Sequence, residues 1–513
     1  MRGKTLVENI TIRRVATLFF LLMASMRWAS PSPAVGQGIA SPTSSRPDLV
    51  LQGEVHGTQN QSYVEVPFVV PAGVQRVTLE FSYTERDQHT ALDLGLEDPK
   101  QLRCWSGGNK SILTVGQSDA TPSCLPGPLP EGDWKLLIGV PNIRPAVISH
   151  YTANIFFTRA GLVADEPSLL REPLRGGPGW YRGDLHMHTG HSDGQCPNQS
   201  GKLVPCPVFV TAQAAAKRGL DFIAITDHNA TSHYGAMREL QPYFDHLLLI
   251  PGREITTFQG HVNLLGTTQF LDFRVDGKNV ADMETLFKDA QQTGALVSIN
   301  HPAAPTGEIC MGCGWTPTGS FDMHLVNAVE AVNGGSVDDP APGIAFWKHQ
   351  LDLGLKLTAI GGSDNHRPMI PLDQIGSIGR PTTVVYAEEL STPAILAGIR
   401  SGRVFVDLAG SPDRTLDMKA MATSSRAVMG SKLEATKGSE VVVELHVAHC
   451  RGMTSHLLID SNEAQPSFTQ SISDDDQVLR FHWISDGQRH WMHAEIVSTE
   501  GQLLLLGNAI YLN

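Results

Sequence analysis

Short runs with a two-residue period dominate the first third of the chain. Val64, Val66 and Phe68 alternate with polar neighbours, as do Val77, Leu79, Phe81 and Tyr83. The stretches 134–140 and 151–157 are apolar enough for further strands, so 48–160 predicts an all-β sandwich. From Trp180 the pattern changes. Apolar runs at 221–226, 247–250, 295–299 and 356–360 alternate with helical stretches such as 207–218 and 283–293. Strand–helix alternation on that scale predicts an α/β region built on a parallel barrel or sheet. After about residue 408 short strands return at 440–448, 455–460, 478–484 and 491–498, which predicts a second β-sandwich running to Asn513. Residues 37–47 and 161–179 are rich in Pro, Ser and Gly and read as linkers. The expected chain is multidomain: a central α/β domain at 180–408, flanked by all-β sandwiches at 48–160 and 409–513.

The N-terminus adds a compartment. Arg2, Lys4, Arg13 and Arg14 precede an apolar run from Val15 to Ala24, and Ala34-Val35-Gly36 supplies small residues for cleavage before Gln37. A run of that length is too short to span a bilayer, which takes about 20 residues, and suits a signal-peptide core. Residues 1–36 are therefore read as a signal peptide, and the mature chain as an exported periplasmic or extracellular protein with no stable membrane anchor.

At 513 residues the chain is too long for one core, and its 41% hydrophobic and 18% charged residues fit a globular protein. A net charge of −13, more negative once the basic signal segment is removed, makes nucleic acid a poor partner. Export makes disulfides the natural reading of the cysteines. Cys104–Cys124 is expected inside the first sandwich. Cys196, Cys206, Cys310 and Cys313 allow three pairings, of which 196–206 with 310–313 is the simplest. Cys450 is left over.

Of the 20 histidines, 11 fall between His186 and His366. In Gly183-Asp184-Leu185-His186-Met187-His188, a strand would project Asp184, His186 and His188 from one face. Two imidazoles so placed can bind one metal ion, with Asp184 orienting one of them. His191 and Asp193 follow in a loop. Four further strand ends finish the same way: one at Asp227-His228, one at Glu254 with His261 shortly after, one at His301, and one at Asp364 with His366. Apolar strands ending in His, Asp or Glu are what an α/β barrel places at its C-terminal mouth. Their accumulation points to a polynuclear metal site, with Zn, Mn or Fe suited to imidazole and carboxylate ligands. No nucleophile elbow, phosphate-binding loop or dinucleotide fingerprint is present, which leaves metal-activated water as the nucleophile.

The motifs WYRGDLHMHTGHSDG, DFIAITDHN, GREITTFQGHVN, INHP and GGSDNH together resemble the PHP (polymerase and histidinol phosphatase) superfamily. GWYRGDLHMHT and the terminal GNAIYLN resemble its CehA/McbA branch, named for aryl carbamate hydrolases. The resemblance covers about 180–408. It implies a distorted (β/α)7 PHP barrel with two or three divalent metals at its mouth. Carried over, one metal takes His186, His188, Glu254 and Asp364; a second shares Glu254 and adds His261 and His301; a third takes Asp193, His228 and His366. Many members of the superfamily have His where Asp193 stands, and His191 is near enough in sequence to replace it. Asp184 and Asp227 would support the ligands from behind.

The expected activity is hydrolysis of a small ester-type substrate, a phosphoester before an aryl carbamate or carboxylic ester. Three divalent ions would leave the centre net positive and suited to a phosphate dianion, whereas two would suit a neutral ester. Arg253 and Arg367 adjoin ligand residues and are candidates to clamp phosphate oxygens. A reading of another class is a secreted binding protein with a vestigial metal centre.

Overall fold

The computed structural model describes residues 46–159, 169–170, 172–310, 312–462 and 465–513. The expected signal peptide at 1–36 lies outside them, as do 37–45 of the first linker and 161–168 and 171 of the second. The described chain is mostly β, with five α-helices among the described residues. None of these helices is long and apolar enough to cross a membrane.

The N-terminal alternation produces two four-stranded antiparallel sheets. One runs Leu49–His56, Ile148–Arg159, Val74–Tyr83, Ile112–Gly116; the other runs Ser62–Val70, Gly132–Asn142, Ala91–Glu97, Leu102–Trp105. Val77, Leu79 and Phe81 turn inward and meet Leu94, Trp134 and Leu136 in one buried cluster. Each such side chain contributes about 1.5–3 kcal/mol on burial. Asp119, buried at the edge of this region, pairs with Arg76 of its own sandwich and with Arg238 and Thr268 of the central region. Arg46–Asn513 accordingly forms one compact unit.

The central strands, numbered in chain order, are β1 (Arg175–Asp184), β2 (Phe222–Ile225), β3 (Leu248–Thr257), β4 (Gly260–Leu265), β5 (Leu296–Ile299), β6 (Ala328–Asn333), β7 (Thr358–Gly362), β8 (Thr382–Leu390) and β9 (Val404–Asp407). Their order in the sheet is β7-β6-β5-β4-β3-β2-β1-β8-β9. Pairs β1–β2, β2–β3, β5–β6 and β6–β7 are parallel, while β3–β4 and β4–β5 are antiparallel. At the far ends of the arc, the chain beyond β1 meets the chain beyond β7. Asp364 N–H donates to His186 O at 2.9 Å, and His188 N–H to Asn365 O at 2.8 Å.

A regular ring of seven β/α units is not what this pairing gives. β3 and β4 form a hairpin with no helix between them, and β5 leads into a long loop rather than a helix. Helices α1 (Val208–Lys217), α2 (His233–Leu240), α3 (Met283–Gln292), α4 (Ala341–Asp352) and α5 (Thr392–Arg400) follow β1, β2, β4, β6 and β8. Residues 175–179, read as linker, are the start of β1 and pair with β8. Their Gly-Gly-Pro-Gly composition carries no apolar alternation, so the pattern could not reveal a strand whose partner lies some two hundred residues away in sequence.

The C-terminal strands also depart from expectation. Leu503–Gly507, His490–Val497, Thr454–Ile459 and Thr469–Ser471 extend the central sheet beyond β9, so no sheet boundary falls at 408. A separate four-stranded sheet (Arg426–Val428, Thr415–Met421, Glu440–Ala448, Asp476–Ile484) completes this region. Val384 of β8 and Phe405 of β9 share one buried cluster with Leu445, Phe481 and Met492. An edge strand offers unpaired backbone groups, and β9 satisfies its free edge with Leu503–Gly507.

Asn508, in the terminal GNAIYLN, locks this arrangement. Its side-chain oxygen accepts from Ala359 N–H of β7 at 2.7 Å, and its amide donates to Ala359 O and Val404 O, each at 2.9 Å. The strand that leads to Asp364 is thereby held by the last residues of the chain.

Candidate metal centre

Every strand expected to end in a ligand residue brings it to the same place. His186 and His188 follow β1, His228 follows β2, Glu254 lies in β3, His261 opens β4, His301 follows β5, and Asp364 and His366 follow β7. The β3–β4 register sets Thr256 opposite His261 and Glu254 opposite Asn263, so both ligands sit near one end of the hairpin. The nine expected ligands form four overlapping groups with donor atoms within 4.8 Å of one another. These are His186, His188, Asp364; His186, Glu254, His301; His228, Glu254, His261; and His188, Asp193, His228, His366. The grouping crosses the expected partition: His261 shares Glu254 with His228, and His188 joins the Asp193 group as well as that of Asp364.

Rings crowd the centre, with His188 centred 4.1 Å from His366 and 4.3 Å from His228. Several buried donor atoms there have no hydrogen-bond partner: His186 Nε2, His188 Nδ1, His261 Nε2 and Glu254 Oε2. Glu254 Oε2 lies 2.9 Å from His228 Nδ1 and 3.3 Å from His186 Nε2 without hydrogen-bonding alignment to either. Unpaired buried polar atoms are costly, at about 1–3 kcal/mol each, and convergent lone pairs of this kind fit divalent cations.

Charge tells the same story. Burial opposes ionisation of Glu254, yet His186, His228 and His261 hold it well below the usual carboxylate range. Burial likewise disfavours a charged His186, but Glu254, Glu330 and Asp364 raise it well above an ordinary histidine. A hydrogen bond from His366 brings Asp193 down to about 2. Burial lowers His366, while Asp193 and Asp364 outweigh it and lift the ring to about 9. Ionised carboxylates enclosed this way call for positive charge.

Hydrogen bonds also fix which ring nitrogen faces the centre. His301 Nδ1 lies 3.2 Å from Cys313 O, and His366 Nδ1 lies 2.8 Å from Asp364 O. A carbonyl only accepts, so Nδ1 carries a proton and Nε2 is the nitrogen turned towards the centre. Those Nε2 atoms face Glu254 at 3.2 Å and Asp193 at 3.3 Å. Two ligands adopt positive φ, His301 at 26° and Asp364 at 53°, a conformation that costs a non-glycine residue about 1–3 kcal/mol. Glu330 helps hold the first, accepting His301 N–H at 2.8 Å.

Glu330, in β6, is a residue the sequence pattern did not single out. It is 2% exposed; Oε1 lies 3.0 Å from His186 Nδ1, and Oε2 also accepts from Asn333 Nδ2. A lone carboxylate inside the apolar run Ala328–Val332 was the available signal. Asn300, which no pattern in the chain marks, donates to Glu254 Oε1 at 3.0 Å.

The supporting residues divide. Asp184 is buried and accepts from the backbone N–H of His186, Ser363 and Gly379, so it organises chain rather than an imidazole; the carboxylate on the His186 ring is Glu330. Asp227 accepts from Thr189 N–H, Thr189 Oγ1 and Ser192 Oγ, and thereby shapes the loop that presents Asp193. His191 is exposed, meets Ser232 Oγ at 2.8 Å, and belongs to none of the ligand groups, so of the two it is Asp193 that lies with the clustered donors. Arg253 does not face the ligands. It alternates with Glu254 along β3, is 1% exposed, stacks over Phe270 and donates to Leu271 O. Arg367 is exposed beside His366 and keeps its place as a candidate phosphate contact.

Cys104–Cys124, Cys196–Cys206 and Cys310–Cys313 are disulfides, and Cys450 is a buried free thiol.

No protein-family model matches the chain, and no curated protein matches it. Among solved structures, a two-domain protein from Bacteroides vulgatus ATCC 8482, described as containing a predicted PHP-like metal-dependent phosphoesterase, aligns with 16% identity and a TM-score of 0.34. The alignment covers 65% of this chain and 95% of that one. A superposition this loose leaves the chemistry to be argued from the site itself.

Proposed function

We propose that this chain is an exported metal-dependent hydrolase of small ester-type substrates, with a phosphoester as the favoured class. The observation that carries it is the convergence of nine His, Asp and Glu side chains from six separate segments of chain. Divalent ions in such a site supply Lewis acidity and lower the pKa of water. The reading includes membership of the PHP superfamily, with its CehA/McbA branch resting on the motifs alone, and treats the β1–β7 arc as a distorted seven-stranded barrel. The three disulfides support an oxidising compartment.

The residues divide the work. His186, Glu254 and His261 lie deep in the protein, whereas the Asp193 side chain is 58% exposed, so substrate enters from the Asp193–His366 side. Glu330 and Asn300 orient the deep ligands, and Asp227 orients the outer loop. Arg367 stands where it can contact an anionic ester group. An aryl carbamate or carboxylic ester remains the alternative substrate, favoured if only two ions bind. Retention of all nine ligands weighs against a binding protein with a vestigial centre.

The test is metal counting on the purified chain beside hydrolysis of p-nitrophenyl phosphate, bis-p-nitrophenyl phosphate and 1-naphthyl N-methylcarbamate. Three ions with phosphoester turnover support the reading. Two tight ions with strong phosphatase activity contradict the charge argument, and carbamate turnover alone selects the alternative.

A further inference from the structure

Two loops beside the centre carry a disulfide each, and they touch different ligands. The loop between β5 and β6 holds Cys310–Cys313. Its Cys313 carbonyl is the acceptor for His301 Nδ1–H. The same loop is stitched to the β3–β4 turn: Thr316 N–H donates to Gln259 O and Thr318 N–H to Gln259 Oε1, each at 2.8 Å. Gly312, at φ +84°, packs against Thr257 and Phe258 with no room for a Cβ.

Cys196–Cys206 joins the small hairpin Gln195–Pro197 and Leu203–Pro205. Cys206 brackets the Asp193 loop from both sides, since Gly190 N–H donates to Cys206 O at 2.6 Å and Cys206 N–H to Gly194 O at 2.9 Å. Gln195 N–H, beside Cys196, donates to His366 O at 2.7 Å.

Resting on the metal-site reading above, we infer that these disulfides are positioning elements, each serving a different ligand group: Cys310–Cys313 aims His301, and Cys196–Cys206 aims Asp193 and His366. The physical reason is local. Each bond closes a short stretch of chain, three residues apart in sequence at Cys310–Cys313 and ten at Cys196–Cys206, and so removes conformations of the turn or hairpin it encloses. What remains puts one carbonyl on one imidazole nitrogen, fixing tautomer and ring direction for His301. On the other side it holds the backbone of Gly190, Gly194 and His366. Losing the partner that orients a ligand lowers metal affinity by about 10–100-fold.

The prediction is a crossed one. Cobalt(II)-loaded full chain is titrated with a chelator and followed by its visible bands, with total metal counted. His301→Ala and His366→Ala identify which ion each group holds. C310S/C313S should weaken by at least about tenfold the ion whose bands His301→Ala removes, and leave the other within about twofold. C196S/C206S should do the reverse, and C104S/C124S, in the N-terminal sandwich, should change neither. Should a variant fail to fold, partial reduction of the native chain with a water-soluble phosphine, followed by alkylation and desalting before cobalt is added, gives the same reading. Each disulfide takes two electrons from the phosphine, which leaves as its oxide with oxygen from water, while that water supplies the two thiol protons, and mapping of the alkylated cysteines shows which bond opened. Metal loss that tracks the opened bond supports the inference. Retained affinity in both variants, or loss of the same ion in both, overturns it. A native chain that binds no cobalt overturns the site reading itself, a result distinct from either.

Discussion

Glu330 Oε1 lies 3.0 Å from Nδ1 of His186, deep beneath the ligand cluster, and this carboxylate rather than Asp184 meets the His186 ring. Through Oε2 the same side chain holds the strained backbone of His301. One residue on β6 thus controls two ligands from two other strands. Glu330→Gln keeps size and an acceptor but removes the charge that favours the Nδ1–H tautomer. Equilibrium dialysis should show metal affinity falling by about 10–100-fold with the thermal midpoint little changed. Unchanged affinity would show that His186 needs no such partner.

Asn508 makes three hydrogen bonds that join the C-terminus to β7 and β9. Asn508→Ala leaves Ala359 N–H and Ala359 O buried without that partner, while Val404 O keeps the backbone N–H of residue 508 at 3.3 Å. With each orphaned group costing about 1–3 kcal/mol, urea unfolding should show a loss of about 2 kcal/mol or more. Hydrogen exchange at Ala359 should rise with it.

Asp119 links the N-terminal sandwich to the central region. Burial pushes its carboxyl up, but Arg76 and Arg238 outweigh that and hold it at about 2, below the usual 3.8. A depressed folded pKa stabilises above the unfolded value and is lost as pH falls through the folded one. Stability from this group is therefore complete above about pH 4 and gone near pH 2. Asp119→Asn should flatten that part of the acid unfolding curve. Asp119→Ala should cost about 3–5 kcal/mol, because two largely buried arginines lose their counter-charge.

His191 and Asp193 are two residues apart yet behave differently. His191→Ala should leave metal content unchanged, since its ring meets Ser232 outside the ligand groups. Asp193→Ala should lower the affinity of the outer ion, measured by competition with a chelator.

Much of this site is readable from the chain. Strand ends can be seen because apolar runs stop abruptly at His, Asp or Glu, and eight residues at or near those ends converge with Asp193 from the loop after His188. What stays hidden needs tertiary contact. Glu330 and Asn300 act from behind the ligands, and Arg253 looks like a substrate contact until β3 alternation turns it to the other face. The Gly-rich start of β1 and the shared C-terminal sheet are hidden because pairing between distant segments leaves no local periodicity. The N-terminal sandwich is legible because each strand alternates cleanly between core and solvent.

The central claim is that hydrolysis here depends on metal held by these residues. The most direct measurement is p-nitrophenyl phosphate turnover by the native chain before chelation, after chelation, and after return of Zn²⁺ or Mn²⁺, beside a His186→Ala/His188→Ala variant. The account predicts activity that vanishes on chelation, returns with metal, and is absent from the variant throughout. Turnover that survives chelation or the double substitution would contradict it.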